Sequence, residues 1–67
     1  MVTKYYIREI GTGLYYFLYR GEEGFLKGIA EAYIFNSRQD VLIFFEREQD
    51  KEFFEDKIVE IVEIFCF

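Results

Sequence analysis

Two stretches near the start of the chain, Val2 to Ile10 and Leu14 to Arg20, are dense in β-branched and aromatic residues, and Gly11-Thr12-Gly13 separates them. This pattern predicts a β-hairpin. Strands favour such side chains, and a short hairpin loop needs a positive-φ residue, which Gly11 or Gly13 supplies without steric cost. In the second stretch side chains alternate across the strand, so Leu14, Tyr16 and Leu18 point one way and Tyr15, Phe17 and Tyr19 the other. Both faces are therefore apolar or aromatic. A single helix covers one face of a sheet, so the other must stand in water or meet another copy or a partner.

Gly21-Glu22-Glu23-Gly24 reads as a second turn, followed by an irregular segment, Phe25 to Ile29, that suits a loop or a short strand. Ala32-Tyr33-Ile34-Phe35 is expected to be a short strand ending at Asn36. Ser37 then carries a hydroxyl able to cap a helix, with Asp40 three residues on, a variant of the capping box. Val41, Leu42, Phe44 and Phe45 follow at helical spacing as an apolar stripe, and the helix is expected to end between residues 49 and 55. The tail from Ile58 to Phe65 is β-branched and reads as a strand, although Glu at every third place also suits a helix. The fold class expected is α+β, a single domain over residues 1–67: an antiparallel sheet of three to four strands with an N-terminal hairpin, packed on one helix, in the order β-β-(β)-α-β.

At 67 residues with 52% hydrophobic and 22% aromatic content, the chain has more large apolar side chains than one thin core readily hides. Part of that surface fills both faces of the sheet or meets a partner or a second copy. Proline is absent, which leaves strand pairing between copies physically open. The formal charge of −5 argues against direct binding to duplex nucleic acid through a basic patch. The charge is uneven, because residues 1–38 carry a net of +1 and residues 39–67 a net of −6. One cysteine, Cys66, excludes an internal disulfide framework. Apolar runs too short to span a bilayer and an N-terminus without a signal-peptide pattern make no membrane and a cytoplasmic setting the expectation.

Histidine is absent and the one thiol lies at the penultimate position, so neither a Ser-His-Asp or Cys-His arrangement nor a thiolate–imidazole zinc site can be assembled. Asp50 to Asp56 does not fit a calcium loop, since Phe54 and Glu55 occupy the places of an oxygen ligand and a glycine. Gly11-Thr12-Gly13 lacks the third glycine and the helix of a dinucleotide fingerprint. The expectation is a non-enzymatic protein with no catalytic residue, cofactor or metal. Two constellations remain as binding surfaces. One is an acidic row, Glu46, Glu48, Asp50, Glu52, Glu55 and Asp56, able either to keep the protein soluble or to engage a basic partner. The other is the aromatic hairpin, Tyr6, Tyr15, Phe17 and Tyr19, with Lys4, Arg8 and Arg20 beside it, able to fill a core, form an interface, or stack on bases.

The Tyr-rich hairpin, the run Glu31-Ala32-Tyr33-Ile34-Phe35, the Ser37-initiated helix and the closing segment Lys57 to Ile64 together resemble small acidic proteins of phages and mobile elements, of the anti-defence inhibitor kind. The resemblance implies a protein-binding module that blocks a host enzyme, such as a nucleic-acid-processing or defence enzyme with a basic site, and for a phage protein a setting in the host cytoplasm. It carries over no functional residue. The alternative is a homo-oligomeric structural or accessory protein, a homodimer or higher, associating through its aromatic sheet face.

Overall fold

The computed structural model describes residues 2–48, 54 and 56–66. Among them, β1 (Val2–Glu9), β2 (Tyr15–Tyr19), β3 (Glu22–Leu26) and β4 (Val59–Cys66) form one antiparallel sheet in the order β3-β2-β1-β4, and α1 (Arg38–Glu48) supplies the helix. This is the α+β fold that the hydrophobic pattern predicts, but its third strand lies at Glu22–Leu26 rather than at Ala32 to Phe35.

The first hairpin closes where the Glu9 N–H donates to the Leu14 carbonyl at 2.8 Å and the Gly13 N–H returns to the Glu9 carbonyl at 3.0 Å. Gly11 and Gly13 both adopt positive φ, 103° and 73°, so the loop uses both glycines and runs a residue longer than Gly11-Thr12-Gly13. The second turn differs from the expectation at Gly21 to Gly24. It is made by Arg20 and Gly21 alone, at φ 51° and 82°, with Tyr19 opposite Glu22. Two consecutive positive-φ residues make the primed two-residue turn whose twist matches that of the strands it joins. Glu22, Glu23 and Gly24, poor strand formers by themselves, therefore belong to β3 and pair along β2. Gly24 has a packing reason, since a Cβ there would come within 2.9 Å of the Phe17 ring across the pair.

β1 and β2 pair at Arg8 opposite Tyr15 and then diverge to admit the chain between β3 and α1. The Tyr33 N–H donates to the Tyr16 carbonyl at 2.9 Å, while Phe35 and Tyr5 exchange backbone hydrogen bonds of 2.9 and 3.0 Å. The expected strand over Ala32 to Phe35 is thus a wedge held on both sides, with one antiparallel bridge, Tyr5 to Phe35. It completes hydrogen bonds that the parting of β1 and β2 would otherwise leave open.

Ser37 caps α1: its Oγ accepts from the Asp40 N–H at 3.1 Å. Val41 is fully buried, and Phe44 and Phe45 are half-buried against Ile7, Tyr16 and Phe35. Leu42 departs from the expected stripe and is exposed, because the helix contacts the sheet along a narrow line centred on Val41 and Phe44. The expected end of the helix between residues 49 and 55 lies outside the described residues. β4 is the strand that the tail predicts, paired with β1 from Val2 opposite Cys66 to Glu9 opposite Val59. In this register Glu60 and Glu63 fall on opposite faces, Glu60 beside Arg8 and Glu63 beside Tyr5.

The core is Ile7, Tyr16, Phe35 and Val41, with Tyr5, Phe25, Phe54, Val59 and Ile61 packed against it. Truncating Ile7, which is fully buried, leaves a cavity at the centre of the sheet, so Ile7→Ala should cost about 2–5 kcal/mol in denaturant unfolding. Ser37→Ala, which removes only the cap, should cost about 1 kcal/mol.

Candidate functional site

The aromatic hairpin residues lie together on the face away from the core, since Tyr6 on β1 and Tyr15, Phe17 and Tyr19 on β2 alternate with the core residues Ile7 and Tyr16. They are not equivalent. Tyr6 is only 7% exposed, with its ring edge-on to Tyr15 at 6.2 Å. The expectation that it offers contact surface is therefore corrected, because its ring is enclosed within the chain. Tyr15 is half-buried next to the Arg8–Glu60 ion pair, in which Arg8 Nε donates to Glu60 Oε1 at 2.7 Å. That hydrogen bond, with a second that Arg8 donates to the Tyr15 oxygen, raises the Arg8 pKa. Phe17 is half-buried over Gly24, and Tyr19 is 65% exposed with the Arg20 guanidinium 5.2 Å from its ring centre.

The acidic row is described in part. Glu46 is exposed on α1, Glu48 is half-buried at its end, and Asp56 is exposed with its Oδ1 3.5 Å from Lys57 Nζ. Asp50, Glu52 and Glu55 lie outside the described residues.

The surface with the strongest functional character combines the exposed end of the hairpin with the wedge, and the sequence pattern missed half of it. Phe17, Leu18, Tyr19 and Leu26 on the hairpin face Glu31, Ala32, Tyr33 and Ile34 across a groove of about 550 Å³. A neighbouring hollow of about 520 Å³ shares Leu18, Tyr33 and Ile34 and continues to Asp40, Ile43, Arg47 and Glu48 on α1. Leu18, Tyr19, Tyr33, Ile34 and Ile43 are all exposed, Ile34 at 42%. Five large apolar side chains thus surround one pair of depressions, rimmed by the carboxylates of Glu31, Asp40 and Glu48 with Arg47 as the cation. Leu18 and Tyr33 could not be assigned to one surface from sequence, because the wedge that brings them together is a non-local insertion.

Beneath this surface Tyr16 joins the parts. Its ring lies 5.5 Å from Phe44, 5.4 Å from Phe54 and 6.4 Å from Tyr33, and its hydroxyl donates to Glu23 Oε2 at 3.1 Å. The chain matches no protein-family model, no curated protein and no solved structure. What the surface can do is therefore read from its chemistry. The groove lining holds no thiol and, in a chain without histidine, no imidazole. It offers burial for an apolar side chain and carboxylates for cations beside it.

Exclusion from water, reinforced by the Glu23 carboxylate, raises the Tyr16 pKa well above its ordinary value. A phenol that ionises less readily folded than unfolded stabilises the fold fully below its ordinary value of about 10, and that contribution is lost as pH rises from there toward the folded value. Stability should fall above about pH 10 with a slope of up to about 1.4 kcal/mol per pH unit from this group. Tyr16→Phe, compared with wild type in denaturant melts over that range, should remove this slope; identical slopes would dissociate Tyr16 from alkaline unfolding.

Proposed function

We propose that this protein is a non-enzymatic protein-binding module that takes an apolar side chain of its partner into the groove between the β2–β3 hairpin and Tyr33–Ile34. The observation that carries this reading is the ring of exposed Leu18, Tyr19, Tyr33, Ile34 and Ile43 around two adjoining depressions. Contiguous apolar surface of this kind costs solubility, and a polar rim around an apolar centre is the anatomy of a protein interface. Tyr19 has the large rigid area typical of residues that dominate binding energy.

The rim specifies the partner's charge. Glu31, Asp40 and Glu48 border the depressions, and Glu46 stands exposed on the same helix. A partner with Lys or Arg flanking an apolar anchor complements this surface, and its approach is steered by the overall charge of −5. Proteins that process nucleic acid carry such basic sites. An inhibitor that occupies one is the specific form of the proposal, in keeping with the resemblance to small acidic proteins of the anti-defence kind.

Affinity capture from lysate of the native cellular setting, at low and high salt, tests the reading. The wild-type protein should retain a basic partner that Tyr19→Ser and Ile34→Ser each weaken by roughly tenfold or more. The paired variant Glu46→Gln/Glu48→Gln should weaken capture chiefly at low salt, where surface charge is least screened. Because Tyr19 and Ile34 are exposed, their variants should stay within about 0.5 kcal/mol of wild-type stability. Equal capture by wild type and both groove variants would overturn the proposal.

A further inference from the structure

The sheet ends in two edges of opposite character. β3 is five residues long and opens with two glutamates, Glu22 and Glu23, a short and charged edge of the kind that resists pairing. β4 is eight residues of mostly β-branched and aromatic side chains without proline, and among the described residues no strand pairs with its outer side. Phe65 stands 57% exposed along it.

The backbone phase of this edge follows from the hydrogen bonds. The Ile10 N–H donates to the Ile58 carbonyl at 2.8 Å, so even-numbered residues of this stretch direct their backbone groups to β1, as the antiparallel ladder alternates. On the other side of β1, odd-numbered Tyr5 bonds Phe35 and Glu9 bonds Leu14, in agreement with that phase. The outward donors and acceptors of β4 therefore belong to Val59, Ile61, Glu63 and Phe65.

From this we infer that β4 pairs antiparallel with β4 of a second copy, about a two-fold axis at Val62, to make one continuous eight-stranded sheet. The glutamates select the register. An axis at Glu60 or Glu63 sets like charges face to face, which opposes pairing. An axis at Ile61 leaves Phe65 beyond the pairing with Val59–Cys66. Centring on Val62 pairs Val59 with Phe65 and Ile61 with Glu63 of the other copy, so all four outward residues bond and neither glutamate meets its like. Glu60, already held by Arg8, lies opposite Ile64. The surface is separate from the groove, which is built on β2 and β3 at the other side of the sheet. The inference therefore does not depend on the partner proposed above.

Light scattering on the 67-residue chain should give twice its mass of 8.2 kDa. The dimer should tighten as salt rises, because each copy carries −5. Glu63→Pro removes an outward N–H and spares the β1 ladder, so it should halve the mass while keeping the far-ultraviolet circular dichroism of the fold and any groove-dependent capture. Should that variant fail to fold, cross-linking decides. In a Cys66→Ser background treated with diamide, Val62→Cys should form a disulfide dimer, because facing non-hydrogen-bonded residues lie about 4.5 Å apart. Ile64→Cys should not, since the two copies of that residue are then offset by about 13 Å along the strands. A monomeric wild type at high protein concentration, a folded Glu63→Pro variant that stays dimeric, or cross-linking at Ile64 rather than Val62 would each overturn the inference.

Discussion

Tyr16 is the residue through which the parts of this small fold hold one another. Its carbonyl receives the wedge through Tyr33, its ring supports α1 through Phe44, and its hydroxyl reaches Glu23 on β3. A thin sheet with one helix has few places where three elements meet, so this buried ring carries a large share of the tertiary specificity. Aromatic pairs of this geometry contribute about 0.5–1.5 kcal/mol each beyond the area they bury. The hydroxyl constrains more than it contributes, because a buried phenol must find a partner and Glu23 is placed to be that partner.

The wedge connects fold to function. By inserting between β1 and β2, the segment Tyr33–Phe35 sends the Phe35 ring into the core and leaves Tyr33 and Ile34 exposed beside Leu18 and Tyr19. The same backbone bonds that repair the parted strands thereby build the apolar walls of the groove. The acids on its rim come from the short 3-10 turn Ile29–Glu31 and from α1, so the chemistry of the surface is assembled from three parts of the chain.

Much of the local structure was legible from residue type and spacing. The hairpin, the Ser37 cap, the Val41 and Phe44 face of the helix and the closing strand follow from alternation, capping chemistry and β-branched content, which act within a few residues. Glu22-Glu23-Gly24 departs from its local turn pattern, because Glu-Glu-Gly is poor strand material by itself and only pairing with β2 and the Phe17 ring over Gly24 make it a strand. Tyr6, expected at an interface, is buried for a related reason. Alternation correctly set it opposite the core, but it could not reveal that this part of the outer face is itself covered.

By itself, the sequence determined the α+β class, the element types and the excess of aromatic surface, since these rest on periodicity and composition. It also determined the acidity of the C-terminal half, which is a count. Tertiary structure decided which aromatic rings are enclosed, where the groove lies and which strands form the edges. Those depend on contacts between residues far apart in the chain: Tyr16 with Tyr33, Tyr5 with Phe35 and Arg8 with Glu60. No local pattern encodes such meetings, because the free energy that selects them is that of closing the whole sheet around one core.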